Sequence, residues 1–200
     1  MSRFEKSILW GIPPVMCLAL YWPGLMAWFQ LDDFAWLGLA HDLRTPADLP
    51  QALFAPMAQG TIRPLSERAF FFSLSEIFGF RAFPFRACVF ITQFANLWLL
   101  AALARRLSGS TPAALLACLF WTANGALALP MSWTSAYNQV LAAFFLLAAF
   151  YCLVRHTESG ERRFRYGEWA AFLLGFGALE INAVYPAVAA AWLLASARER

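Results

Sequence analysis

Charge is scarce in this chain, and lysine is almost missing from it. Asp, Glu, Lys and Arg together make up 14% of the 200 residues, against about 25% in an ordinary soluble domain. Lys6 is the single lysine among 15 basic residues, and the rest are arginine. The net charge of +3 is too small, and the chain too apolar, for a nucleic-acid binder. Low hydrophobicity is missing too, which excludes disorder. Histidine occurs twice, as His41 and His156, in different connecting segments. Cys17, Cys88, Cys118 and Cys152 lie far apart inside apolar runs, where cysteine behaves as a small buried hydrophobe. No pair of His or Cys stands at ligand spacing, so the sequence offers no metal site and no disulfide framework. Glycine-rich phosphate-cradling motifs are also absent, and with them a nucleotide cofactor. No cofactor is expected.

What the chain has instead is hydrocarbon. Hydrophobic residues make up 61% and the mean hydropathy is +0.57. Twenty Phe and nine Trp suit a protein solvated by lipid, with aromatic rings at headgroup level. The composition predicts an all-α membrane protein with membrane lipid as its surroundings. Apolar runs cover residues 8–29, 83–104, 112–129, 139–154 and 169–195 within a single transmembrane domain. The first is long enough to cross a bilayer at about 1.5 Å per residue. It leaves through Trp28-Phe29-Gln30 rather than a small-residue cleavage site, so it is expected to stay as an uncleaved helix bent at Pro13-Pro14. The last run is too long for one straight crossing and holds Glu180, Asn182 and Pro186 in its middle. A break near Pro186, returning the chain as two short helices, makes six spans, and one tilted helix makes five.

The basic residues set an orientation. Arg3 and Lys6 precede the first run, Arg105-Arg106 follow the second, and Arg155, Arg162, Arg163 and Arg165 follow the fourth. The intervening segment 124–138 has no charge. The positive-inside rule then predicts a cytoplasmic N-terminus in a cell inner membrane, with residues 30–82 and 124–138 on the outer side. Arg198 and Arg200 close the chain. The outer loop 30–82 is too long for a mere connector. It carries Asp32, Asp33, Asp42, Asp48, Glu67 and Glu76 against Arg44, Arg63, Arg68 and Arg81, and its greasy patches suit interfacial helices.

Several polar residues could carry chemistry. Asp32-Asp33 follow the first span at the membrane surface, where a carboxylate can take a proton from a hydroxyl or simply start a helix. Glu180 sits in an otherwise uncharged run, where a carboxylate costs about 2.5 kcal/mol or more; it is either functional or paired with an arginine of the outer loop. Arg63, fixed by Pro64, and Arg86 supply guanidinium groups suited to phosphate. Gln93, Asn96 and Gln139 read as helix–helix hydrogen bonders, and Trp133 and Tyr137 as members of an aromatic belt.

Together these features resemble a family. Leu31-Asp32-Asp33-Phe34 after the first span, Arg63-Pro64-Leu65 in the outer loop, Phe78-Gly79-Phe80, the run 104–110 and Ala178–Pro186 are similar in order and spacing to polytopic GT-C glycosyltransferases. These include the protein O-mannosyltransferases and aminoarabinose transferases. The resemblance implies an inverting transferase, or its N-terminal half, that takes a sugar from a polyprenyl phosphate at the outer face of the inner membrane. It implies Asp32 or Asp33 as catalytic base and Glu180 as a second acidic site residue. It also points to Arg63, Arg86, Asn182, Tyr137 and Gln139 as substrate-binding positions. Phe85-Arg86 stands where an aromatic-His pair is common, and Ala136-Tyr137-Asn138-Gln139 where Gly-Arg-x-Asp is frequent. The alternative expectation is a non-catalytic subunit derived from that scaffold, packed against protein partners in a larger membrane complex.

Overall fold

The computed structural model describes residues 3–39, 45–56 and 60–198. His41, Asp42, Arg44 and Arg200, named above, lie outside them. The described elements are helices throughout, with no strand among them. They are α1 (Arg3–Leu25), α2 (Asp33–Leu37), α3 (Leu49–Phe54), a π-helical turn (Pro64–Ala69) and α4 (Phe70–Phe78). Then come α5 (Ala82–Ser108), α6 (Thr111–Thr122), α7 (Tyr137–Ser159), α8 (Arg162–Gly175) and α9 (Tyr185–Arg198). Among the described residues, three helical stretches are long and apolar enough to cross a membrane: Ser7–Leu25, Ala82–Ser108 and Thr134–Ser159. The chain is an all-α membrane protein. Large apolar side chains such as Val15, Ile91, Phe120 and Leu194 face outward, which a lipid solvent accepts and water does not.

Two glycine stops make the helical hairpins. Gly109 ends α5 with φ +67°, its N–H donating to the Arg105 carbonyl at 2.8 Å. Ser110 then caps α6, its hydroxyl accepting from the Ala113 N–H at 3.3 Å, and Pro112 occupies the first turn, where a missing N–H costs nothing. Gly160 ends α7 in the same way, with φ +68° and a 2.8 Å bond to the His156 carbonyl. A left-handed residue at a helix end is nearly free only for glycine. Arg106 and Glu158 pair at 2.6 Å and tie the two reversals together. Helices α7 and α8 pack closely because Gly167 lets the Cys152 sulfur approach its Cα.

Prolines inside α1 create a different contact. Pro14 has no N–H to offer the Trp10 carbonyl, which therefore loses its intrahelical partner. The Trp98 indole N–H of α5 donates to that carbonyl at 3.1 Å. An unpaired backbone group in hydrocarbon costs several kcal/mol, so the proline stiffens the pair rather than weakening it.

At the opposite end from the glycine stops, aromatic rings fill the space between helices. Phe29 meets Phe85 edge-on with centroids 5.0 Å apart, and Phe70 stacks on Tyr137 at 4.2 Å. Arg86 is wholly buried beside them. Its Nε donates to the Gly24 carbonyl at 2.7 Å and its Nη2 to the Met131 carbonyl, and Asp33 lies within electrostatic reach. One side chain thereby joins the end of α1 to the 124–136 connection. The last apolar run is interrupted after Gly175 by a turn and a 3-10 stretch, Glu180–Val184, before α9 starts. Pro186 falls in the first turn of α9. Asn182 plugs the interruption, its amide donating to the Phe172 carbonyl. At 14 residues each, α8 and α9 are about 21 Å long, short of the roughly 30 Å hydrocarbon core.

The Gly24 contact gives a direct test. A Cβ there would overlap the Met131 carbonyl, whereas one on Gly11 would meet nothing. Gly24→Ala should lower the melting temperature of the detergent-solubilised protein by several degrees. Gly11→Ala should leave it unchanged or raise it, by up to about 1 kcal/mol of helix propensity.

Candidate active site

The loop between α1 and α5 folds back over the bundle at the aromatic end, and two adjacent aspartates are separated there. Leu31 takes a left-handed backbone, φ +50°, which turns the chain into α2. Asp33 is fully buried. One carboxylate oxygen accepts the Gln30 N–H at 2.9 Å, and the other accepts the Ser135 N–H at 2.6 Å and the Ser135 hydroxyl. With Arg86 behind it, this carboxylate is committed to holding the loop against the start of α7. The Gln30 side chain and the Trp133 indole add a second clasp at the same place, at 3.2 and 3.3 Å. Asp32, one residue earlier, is exposed and lines a cavity of about 340 Å³, within the range of small-molecule clefts. Arg63, Glu67, Ser135, Asn138 and Gln139 border the same cavity, with Trp36 and Trp133 as aromatic walls.

Arg63 reaches this cavity because the π-helical turn docks on the interruption between α8 and α9. The N–H of Leu65 donates to the Gly177 carbonyl at 2.9 Å, and the Ser66 hydroxyl donates to the Ala178 carbonyl at 2.7 Å. A side chain on Gly177 would strike Leu65. π-Helical turns recur at functional sites because they re-aim side chains out of helical register. Here the result is a guanidinium held by two carboxylates. Arg63 Nη1 donates to Glu67 at 2.7 Å, while Nε and Nη2 grip both oxygens of Glu180 at 3.0–3.1 Å. Glu67 is buried and also accepts the Asn138 amide at 3.3 Å. Partial burial pulls the Arg63 pKa down, but the hydrogen bonds to Glu180 and Glu67 outweigh it and hold it above its ordinary value. The Arg63 hydrogen bonds push the Glu180 carboxyl below its ordinary value against a smaller desolvation effect. Leu179 and Ile181, beside Glu180, line an adjoining cavity of about 510 Å³ that shares Arg63, Asn138 and Gln139 with the first.

The sequence-derived candidates therefore divide by environment. Asp32, Arg63 and Gln139 line the cavity, and Glu180 is joined to it through Arg63. Asp33, Arg86, Tyr137 and Asn182 are buried in the supporting structure. The Tyr137 hydroxyl lies 3.1 Å from Thr92 Oγ1 on α5. Glu67, Ser135 and Asn138 belong to the site without having been singled out. The four-residue spacing of Arg63 and Glu67 was the available signal for one of them. Asn138 falls within the Ala136–Gln139 stretch noted for its position, and nothing in the sequence marks Ser135.

Compared with known proteins, residues 67–200 match the dolichyl-phosphate-mannose-protein mannosyltransferase family. Neither a curated protein nor a solved structure matches the chain.

Two outcomes follow from the geometry. Asp33→Ala strands the buried donors of Gln30 and Ser135 and should destabilise the protein by about 1–3 kcal/mol or more in a thermal melt. Asp32→Ala should stay within about 0.5 kcal/mol. The Glu180 pair should show its own pH signature, read as the melting difference between the wild-type chain and Glu180→Gln. Because the folded pKa is depressed, that small difference is fully present above the unfolded carboxyl pKa of about 4.3. It should vanish only as pH falls through the lower folded value.

Proposed function

The chain belongs to the dolichyl-phosphate-mannose-protein mannosyltransferase family, and on that premise we propose that it transfers a sugar from a polyprenyl-phosphate donor to an acceptor hydroxyl. The observation that carries this reading is one cavity bordered by both an exposed carboxylate, Asp32, and a guanidinium, Arg63. In the proposed step the acceptor hydroxyl gives its proton to the Asp32 carboxylate. The acceptor oxygen attacks the anomeric carbon from the face opposite the phosphate. The carbon–oxygen bond to phosphate breaks and its electron pair leaves on the phosphate oxygen, so the anomeric centre inverts. Arg63 faces the charge that collects on the departing phosphate.

Asp32 is preferred to Asp33 as the base because the Asp33 carboxylate already accepts three hydrogen bonds and is closed to substrate. Arg63 is occupied as well, but less firmly. The Glu180 side chain is 56% exposed, and such ion pairs are worth about 0–1 kcal/mol. A hydrogen bond between guanidinium and phosphate is worth about 1.5–3 kcal/mol. A phosphate can therefore displace Glu180, while buried Glu67 keeps the guanidinium aimed at the cavity. Gln139, exposed at the cavity wall, is proposed to contact the sugar.

The orientation is proposed on charge. Arg105, Arg106, Arg155, Arg162, Arg163 and Arg165 flank the glycine stops, at the end away from the cavity. In an inner membrane the positive-inside rule puts those arginines and the N-terminus in the cytoplasm and the reaction on the outer face.

The test is turnover of a polyprenyl-phosphate-linked mannose by the purified protein in detergent or nanodiscs. Asp32→Asn should reduce kcat by about 10²–10⁴ with an unchanged melting temperature. Undiminished turnover by that variant would rule out Asp32 as the base.

A further inference from the structure

Behind the reaction cavity lies another, of about 240 Å³, between α5, α6 and α7 under the 124–130 connection. Gln139 borders both. Its walls are mostly apolar, including Leu127, Pro130 and Val140, yet two of its lining side chains carry buried N–H groups with no partner: Gln93 Nε2 and Trp121 Nε1. Gln93 is fully buried. Its amide cannot be turned over to relieve this. The Val140 carbonyl accepts the Asn96 amide N–H at 2.9 Å, which fixes Asn96, and Asn96 then donates to Gln93 Oε1 at 3.2 Å. The acceptor end of Gln93 is partnered and its donor end is left over. The Trp121 indole can only donate. A buried donor without an acceptor costs about 1–3 kcal/mol, and here two line one small apolar space.

From this geometry we propose that the cavity is a lipid site that holds the ester carbonyl of a bilayer phospholipid. The pattern is donors without acceptors. Gln93 Oε1 and the Val140 carbonyl already accept from Asn96, so the partnerless buried groups facing the cavity are donors. A carbonyl brings lone pairs only. Depth agrees with chemistry. Trp121 is in the last turn of α6 and Val140 in the first turn of α7, while Gln93 lies further along α5, so the cavity runs inward from the outer ends of α6 and α7. Phospholipid ester groups lie at the boundary between headgroups and acyl chains. The apolar walls receive the first methylenes. The site binds lipid whether or not the neighbouring cavity transfers sugar, so its test reads binding alone.

The experiment is native mass spectrometry of the full chain, delipidated in detergent, with ester-linked diacyl phosphatidylglycerol and its ether-linked dialkyl counterpart as probes. The ester lipid should bind about tenfold more tightly, as expected for the loss of a hydrogen-bonded carbonyl. Trp121→Phe removes a donor that has no partner in the protein, so it should keep the melting temperature and lose most of that preference. Equal binding of the two lipids by the unmodified chain overturns the proposal by itself, including where the variant does not fold. So does a Trp121→Phe protein that keeps the full preference. Displacement of the ester lipid by polyprenyl phosphate also overturns it, because the cavity would then belong to the sugar donor.

Discussion

A buried guanidinium and a buried carboxylate within electrostatic reach of each other organise one end of this molecule. Arg86 and Asp33 are both removed from solvent, where an unpaired charge would cost several kcal/mol. Each is compensated by groups from elsewhere in the chain. Arg86 uses the carbonyls of Gly24 and Met131, and Asp33 uses the amides of Gln30 and Ser135. The arrangement stands only if α1, the outer loop, α5 and the start of α7 are all in place. It also settles how neighbouring aspartates differ. Once Asp33 is pinned inward, Asp32 in the preceding position is left outside at the cavity wall. One residue anchors the loop and the other faces the cavity.

The second organising contact joins parts of the chain that are remote in sequence. The π-helical turn and the interruption after α8 fit together through backbone hydrogen bonds and the small Gly177. Their side chains then meet as Arg63, Glu67 and Glu180. The guanidinium is held on one side by a buried carboxylate and on the other by an exposed one. That asymmetry gives it one fixed partner and one exposed partner, which suits the phosphate contact proposed above.

Much of the architecture could be read from the amino-acid order because lipid enforces simple rules. Apolar runs become helices, Gly109-Ser110 and Gly160 mark reversals, and arginines collect beside those reversals. The Glu180 anomaly was legible too, and its pairing with an outer-loop arginine was one of the alternatives that the sequence left open. The division of labour between Asp32 and Asp33 was not legible. It depends on Ser135, 102 residues away, and no local pattern announces that donor. The burial of Arg86 and Tyr137 was hidden for the same reason. Beside the headgroup region an arginine or tyrosine looks like a ligand contact, and only tertiary packing turns it inward. Glu67 was hidden by its surroundings, as one acid among several in a polar loop.

The bond between Trp98 and the proline-freed carbonyl of Trp10 bears on how the protein is made. The acceptor is synthesised 88 residues before its donor. A first helix released alone into the bilayer would carry that naked carbonyl into oil. The smallest piece that the membrane accepts without this penalty is the pair α1 and α5. That carbonyl gains its donor only once α5 has followed α1 into the bilayer.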